Sequence, residues 1–498
     1  MNLPVNRQRR GTILIVVLVV LLLISVVAYD YMLSMQTENL AARSGGDQMV
    51  ARQAAWSAMD WLSAILEAPR QQRQSLIERS NVTDPGAGIL LDPQQPGDQV
   101  DGPRFLVTSP VPVSTEDSQG PSARDESTKV HLGMLIEWDR IAPGSAHETL
   151  LRIPGMTPEV ADGILDWIDS DSEARAYGAE AADYERWQPR NRLPASLAEL
   201  LLVRGVQESL EDDRIQDNRP DGRRPDNRNS PTDLNATLAA WQEHLTLYSA
   251  ERNHSRNGVP RIFLNGSDLG LLYQQLVQRM PLPWAQFIVL YRQYGKGEAT
   301  TAGISSQQIT LDLTQPAGFQ IKSILDLIDA SIEIPQDGKT VNVLSPFRSD
   351  PALMPTQLPA LFDQATVQEA KRVAGRININ AASPGVLLAI PGMDQSLVEK
   401  IMAARSIADG GAPLRYHPIW LMAEGIVNQQ EMRQLLPYLN AGGDVFRAEF
   451  QGQSTGTDSL YRCEAVIDAT GPSANRVHFR ELSPIKWPRS NDFRTTTN

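Results

Sequence analysis

The sequence predicts an α+β fold: a long N-terminal helix, transmembrane in its first half and amphipathic in its second, a small antiparallel sheet, and helical modules inserted into that sheet. Three observations carry the prediction. An unbroken apolar run opens at Ile13, strand-like segments lie near both ends of the remaining chain, and a strand-then-helix pattern recurs three times between them.

From Ile13 to Ala28 the only polar residue is Ser25. As a helix this run is about 24–27 Å long, close to the hydrocarbon thickness of a bilayer. Arg7, Arg9 and Arg10 precede it, and Asp30 and Glu38 follow. That asymmetry leaves the N-terminus in the cytoplasm and the remaining chain outside it. A secretory signal cleaved after Val26-Val27-Ala28 is the competing reading; the length of the run and the lack of a helix breaker oppose it. From Asp30 to Ala68 the pattern stays helical, with Leu40, Met49, Ala54, Ala58, Leu62 and Ile65 forming a stripe among polar residues. Gly45-Gly46 is the weak point, where a kink or local melting is expected, and Pro69 ends the helix. Such a helix resembles the N-terminus of type IV pilins and pseudopilins. That resemblance implies cleavage by a prepilin peptidase after Gly11, leaving Thr12 as the mature terminus.

The 498 residues suffice for several domains, and a formal charge of −13 argues against a nucleic-acid partner. The single cysteine, Cys463, excludes an intrachain disulfide; its surroundings read as a strand with a buried thiol.

Residues 69–102 are turn-rich, with a helical stretch at Ser75–Glu78. Strands are expected at Arg104–Thr108 and Lys129–Glu137, separated by a polar loop over Ser114–Ser127. The repeat then appears as Lys129–Gly133, Arg261–Asn265 and Arg376–Asn380, each a base, an apolar residue, any residue, an apolar residue and a turn former. Helical segments follow at Glu159–Ile168, Leu269–Tyr294 and Pro384–Arg405, with closing helices at Ser196–Val203, Ile321–Ile328 and Pro418–Ala423. Glu211–Asp233 has mixed charge and almost no apolar content, so it reads as a solvated linker. Val445–Phe450, Leu460–Ala469 and Arg476–Leu482 read as an antiparallel meander that pairs with the early strands.

These readings divide the chain into a leader over 1–11, the long helix over 12–68, the first part of the αβ body over 69–140 and a first helical module over 141–210. A linker over 211–233, a second module over 234–340, a third over 341–440 and closing strands over 441–488 complete it.

Two modules carry a helix-hairpin-helix pattern, at Ile153-Pro154-Gly155-Met156-Thr157 and Ile390-Pro391-Gly392-Met393-Asp394. The motif is best known in nonspecific DNA binders. Here Thr157 and Asp394 stand where a second glycine would let amides approach a phosphate, and Glu159 and Ser396 stand where a lysine would help. Carboxylates at Glu159, Asp162, Asp166, Asp169 and Asp171 would repel a phosphate backbone, although Lys400 and Arg405 make the third module milder. A helical packing module is favoured over DNA binding.

The first module continues as Asp166-Trp167-Ile168-Asp169-Ser170-Asp171-Ser172-Glu173. With Asp169 as the first position of a twelve-residue calcium loop, Asp171 and Glu173 fall third and fifth, and Glu180 twelfth. Ala174 occupies the position of the sharp-turning glycine, so this is not a standard EF-hand. Clustered carboxylates without convergent Cys or His favour Ca2+ over zinc. The competing reading is a solvated acidic helix end, its charge partly met by Arg175, Arg186 and Arg190.

The block Asp166–Asp171, Gly178-Ala179-Glu180 and Tyr184 is similar to the minor pseudopilin K of the type II secretion system, the general secretion pathway protein K family. Asn191-Arg192-Leu193-Pro194, Ser196–Leu200 and Arg376–Asn380 extend the similarity. The resemblance implies a pilin-like body with inserted SAM-like helical modules and a place at the pseudopilus tip beside the I- and J-type minor pseudopilins. It further implies contact with the prepilin peptidase and the inner-membrane secretion platform, an inner-membrane anchor with a periplasmic body, and a role in assembly initiation and protein export. It implies Ca2+ binding in the acidic region, on Asp169, Asp171 and Glu180, with Asp166, Glu173 and Asp183 as further candidates. Most pilin-like subunits carry a glutamate five residues into the mature chain, thought to meet a neighbour's free amine. Here that position is Val16, as is typical of the K subunit, which suits a subunit placed first. Three features depart from the family: the chain is longer, the middle module from Arg261 lacks a Pro-Gly hairpin, and the first repeat has His131 and Gly133 where Asn is expected.

No catalytic constellation is visible: histidines are scattered, and neither a Gly-rich phosphate loop nor a nucleophile elbow is present. The chain is therefore read as a noncatalytic, membrane-anchored pseudopilus component. An envelope-tethered DNA receptor and an exported calcium-dependent scaffold are the alternatives.

Overall fold

A computed structural model describes residues 10–79, 89–90, 103–108, 123–185, 188–206, 234–298, 300–336, 338–407, 413–454 and 459–482. The linker read at 211–233 and most of the loop read at 114–127 lie outside these residues, as do most of the leader and everything after 482.

Helix α1 (Arg10–Glu67) runs for 58 residues without interruption. It passes through Gly45-Gly46 as continuous helix, where a kink or melting was expected; two glycines cost about 2 kcal/mol, a penalty that a long, cooperatively propagated helix absorbs. The apolar residues from Ile13 to Tyr31 are exposed, Leu14 at 69% and Val27 at 68%. Burial begins only at Ala51 and continues through Ala54, Ala55, Ala58, Leu62, Ile65 and Leu66. Leu40 and Met49, read as part of the buried stripe, are exposed because the sheet does not reach that far along the helix. After Pro69, helix α2 (Arg70–Arg79) folds back.

The sheet combines strands from both ends of the chain: β1 (Ile89–Leu90), β2 (Arg104–Thr108), β3 (Arg124–Asp125), β4 (Val445–Gln453), β5 (Leu460–Asp468) and β6 (Asn475–Leu482). Their order is β1-β2-β4-β5-β6 with β3 also pairing β4, all antiparallel. Register places Phe450 opposite Val107 and Cys463, and Ala448 opposite Ala465. Phe105, Val107, Ala448, Phe450, Cys463, Ala465 and Ile467 therefore share one face, and the last turns of α1 cover it. Burial pushes the Cys463 thiol up to about 12, which makes it inert.

Between β3 and β4 the chain builds a second, mostly helical core. The repeat has a simple structural meaning. Val130–His131, Ile262–Phe263 and Ile377–Asn378 are two-residue strands, paired in parallel with Leu245–Thr246, Ala365–Thr366 and Leu439–Asn440. Each base-apolar-x-apolar segment opens a unit that its partner strand closes.

Several expectations are corrected. The strand read over Lys129–Glu137 is two strand residues followed by helix α3 (Leu132–Ile141), because Leu132, Leu135 and Trp138 bury one helical face. Leu269–Tyr294 is two helices, Leu269–Arg279 and Leu282–Tyr294, broken at Pro281. Helix Leu234–His244 packs back on the first unit, where Trp241 Nε1 donates to the Pro154 carbonyl at 3.2 Å, instead of opening the second. The boundary read at 340/341 falls inside an antiparallel hairpin, Ser331–Gln336 with Lys339–Leu344.

One carboxylate ties the two cores together. Asp444, immediately before β4, is buried and accepts from Arg70 Nη2 and Arg73 Nη2 at 2.7 Å each, and from the Arg252 backbone N–H at 2.7 Å. These guanidiniums hold its carboxyl well below the usual range despite burial, which acts in the opposite direction.

Candidate metal centre

The acidic loop hangs from helix α5 (Pro158–Ile168), which follows helix α4 (Ser145–Leu151) across the first Pro-Gly hairpin. Gly155 sits at φ 75°, a left-handed conformation that favours glycine. Thr157 then caps α5, its hydroxyl accepting from Val160 N–H at 3.3 Å, and Pro158 suits the first helical position. The four-residue spacing of Asp162 and Asp166 brings both buried carboxylates to one side of α5. Asp162 faces His147 Nδ1 at 2.5 Å and accepts from Tyr177 N–H at 3.1 Å.

Asp166, wholly buried, accepts from the Arg175 backbone at 3.1 Å and from Arg175 Nη1 at 2.7 Å. The same Nη1 bonds Asp169. Gly178 presses against Asp166 so closely that a Cβ there would fall 1.8 Å from Asp166 Oδ2, so a side chain at 178 would push that carboxylate from its place. Arg175 is thus an internal counter-cation for the loop, as its sequence position suggested. Arg190 instead lies 3.5 Å from Glu199, and Arg186 is outside the described residues.

Three carboxylates converge beyond Arg175. Asp169, Asp171 and Glu180 each offer an oxygen within 4.8 Å of the others. Asp169 and Glu180 are each only 6% exposed; Asp169 Oδ1 has no hydrogen-bond partner among the described residues, and the Glu180 carboxylate meets only backbone amides of the short turn that it caps. Burial raises the pKa of Asp166, Asp169 and Glu180, and the charges of Asp166 and Asp169 raise that of Glu180 further. Buried carboxylate oxygens lacking donors are costly, and a hard cation with oxygen ligands would relieve them. The donor set contains no Cys or His, which fits Ca2+ and not zinc.

The other candidates are placed differently. Glu173 is exposed and gives its backbone N–H to Asp171 Oδ1 at 3.0 Å. Asp183 accepts from the Glu180 backbone N–H at 3.0 Å and pairs with Arg204 at 3.6 Å, so it braces Glu180. Asn191 was not read as part of the site. Its side-chain amide donates to the Asp171 carbonyl at 2.7 Å from a left-handed backbone at φ 49°, pinning the exposed end of the loop; the Asn-Arg-Leu-Pro block was the available signal.

At the other end of the chain, Gly11 and Thr12 lie in the first turn of α1, and Val16 is 61% exposed. In the third unit Gly392 is left-handed at φ 83°, and Asp394 accepts from Leu397 N–H at 2.7 Å, capping Gln395–Ile407. Arg405, read as a cation that could favour DNA, instead donates to the Ile379 and Ala382 carbonyls at 2.5 and 2.7 Å.

No curated protein matches the chain. Among solved structures, the complex of GspK, GspI and GspJ from the type 2 secretion system of enterotoxigenic Escherichia coli is similar at 11% identity and a TM-score of 0.35. The alignment covers 87% of this chain and 97% of that one. A family model matches the segment that holds α4, α5 and the acidic loop. Over residues 145–212 this chain is similar to protein K of the type II secretion system.

Proposed function

We propose that this protein is a minor pseudopilin at the tip of a type II secretion pseudopilus, where it acts in assembly initiation and protein export across the bacterial outer membrane. The observation that carries this reading is the division of α1: exposed apolar residues from Ile13 to Tyr31, then a face sealed against an antiparallel sheet from Ala51 onward. The protein K match over 145–212 supports it. In this reading α1 anchors the chain in the inner membrane with its N-terminus cytoplasmic and its body periplasmic. The prepilin peptidase cleaves after Gly11, and Thr12 becomes the mature terminus. Val16 leaves the subunit without the acid that would pair with the amine of a subunit ahead, which suits the first position in a filament.

The partners are I- and J-type minor pseudopilins and the inner-membrane secretion platform. Ca2+ is held by Asp169, Asp171 and Glu180, with Arg175 balancing Asp166 and part of Asp169. The helix-hairpin-helix turns serve packing; Thr157 and Asp394 take up the N-terminal amides that a DNA phosphate would need. Co-expression of the full chain with I- and J-type pseudopilins and purification from detergent-solubilised membranes tests the reading. A stable ternary complex is expected; recovery of this chain alone under conditions that preserve an I–J pair would overturn it.

A further inference from the structure

The helical core holds a half-open pocket of about 390 Å³ whose lining includes Arg261, Arg376, Glu251, Asn440, Phe362 and Leu436. Its charges do not balance. Glu251 is the one carboxylate on the wall, and it already serves Arg376 Nη2 at 2.9 Å and Arg70 Nη2 at 4.0 Å. The Arg261 guanidinium has no ion pair or hydrogen bond among the described residues, and its Nε is closed off from solvent. The Arg376 Nε is enclosed and unpartnered as well. Asp363, the next acid toward Arg261, is occupied by His417 Nε2 at 3.4 Å and the Arg256 backbone N–H at 2.8 Å. Arg261 without an acid of its own, beside an Arg376 that shares Glu251 with Arg70, leaves a surplus of positive charge that a further anion would offset, and guanidinium geometry suits a carboxylate. Phe362 and the partly exposed Leu436 make the adjoining wall apolar.

We propose that this pocket binds a carboxylate joined to an apolar group, the anion between Arg261 and Arg376 and the apolar body against Phe362 and Leu436. A small organic acid and the C-terminus of a polypeptide share that chemistry. The proposal stands on this pocket alone and is independent of the secretion reading.

Isothermal titration of the full chain in detergent, referenced to detergent alone, tests it with three probes: 3-phenylpropionate, N-acetyl-Leu-Phe with a free carboxylate, and the C-terminal amide of that dipeptide. The free carboxylates should bind one to one and the amide at least about tenfold more weakly. Tighter binding of the dipeptide acid identifies a chain terminus as the ligand; tighter binding of 3-phenylpropionate identifies a small acid. Arg261→Gln should weaken the acids about tenfold while its ligand-free melting temperature stays the same or rises, and Arg261→Lys should recover part of the loss. If Arg261→Gln does not fold, Arg376→Gln is read in the same titration. Equal binding of acid and amide, acid binding unmoved by these substitutions, or no heat from any probe up to about 10 mM would overturn the proposal.

Discussion

Gly452 meets Ala51 so closely that a Cβ on the glycine would lie 2.0 Å from the Ala51 carbonyl oxygen. Strand β4 and helix α1 are therefore in backbone contact, and no side chain fits between them. Gly452→Val should lift α1 off the sheet and destabilise the body by about 2–3 kcal/mol. Thermal unfolding in detergent should show a lower Tm, and proteolysis should begin near Ala51; an unchanged Tm would count against the close approach.

The contact of Asp444 with Arg70 and Arg73 fastens α2 to the point where the helical region returns to the sheet. Asp444→Asn leaves two guanidiniums without their counter-charge, at a cost of about 3–5 kcal/mol. Denaturant unfolding should show a loss on that scale, well above the fraction of a kilocalorie typical of exposed pairs.

Acidification should weaken the body. Glu126 is held at about 2, below its ordinary 4.5; burial opposes this, and Lys129 and Arg447 overcome it. Burial pushes His131 down to about 4 from 6.5. Asp444 is depressed like Glu126. In each case the unfolded chain takes up the proton first, so stability is present above the unfolded pKa and is lost as pH falls through the folded one. Stability should begin to fall near pH 6.5 and fall more steeply below 4.5; a flat profile between pH 7 and 3 would contradict these burials.

The acidic loop should respond in the opposite sense. Asp169 and Glu180 have raised pKa values, so their contribution is favourable while they are protonated and is lost as pH rises. Calcium should therefore raise Tm most near neutrality, and less as pH drops into the carboxylate range. Asp169→Ala with Glu180→Ala should abolish the shift; an equal shift in that variant would remove the assigned site.

Arg175 competes with any cation for Asp169. Arg175→Gln should lower Tm in the absence of calcium yet tighten cation binding about tenfold, or ~1.4 kcal/mol. Terbium luminescence sensitised by the nearby Trp167 and Tyr184 reads the affinity directly. Unchanged affinity would mean that the guanidinium is no competitor.

Much of this was legible in the sequence. The long helix, the strand Arg104–Thr108 and the closing meander were readable because apolar runs, alternation and turn residues act locally. So was the convergence of Asp169, Asp171 and Glu180, through their spacing and the family block. Other features depended on distant partners. Lys129–Glu137 reads as a strand because its apolar residues are dense, and only the packing partners of Leu132–Ile141 decide in favour of a helix. The bracing roles of Asp183 and Asn191 depend on where a loop turns, which spacing alone does not fix. The limit of the buried stripe on α1 depends on how far the sheet extends, and the Arg261 pocket on units joined across more than a hundred residues.

The most direct test of the pseudopilin assignment is mass spectrometry of the N-terminus of the protein recovered from membranes of cells with an active prepilin peptidase. A mature chain beginning at Thr12 and methylated on its amine is expected. A chain beginning at Tyr29, or one retaining Met1, would contradict it.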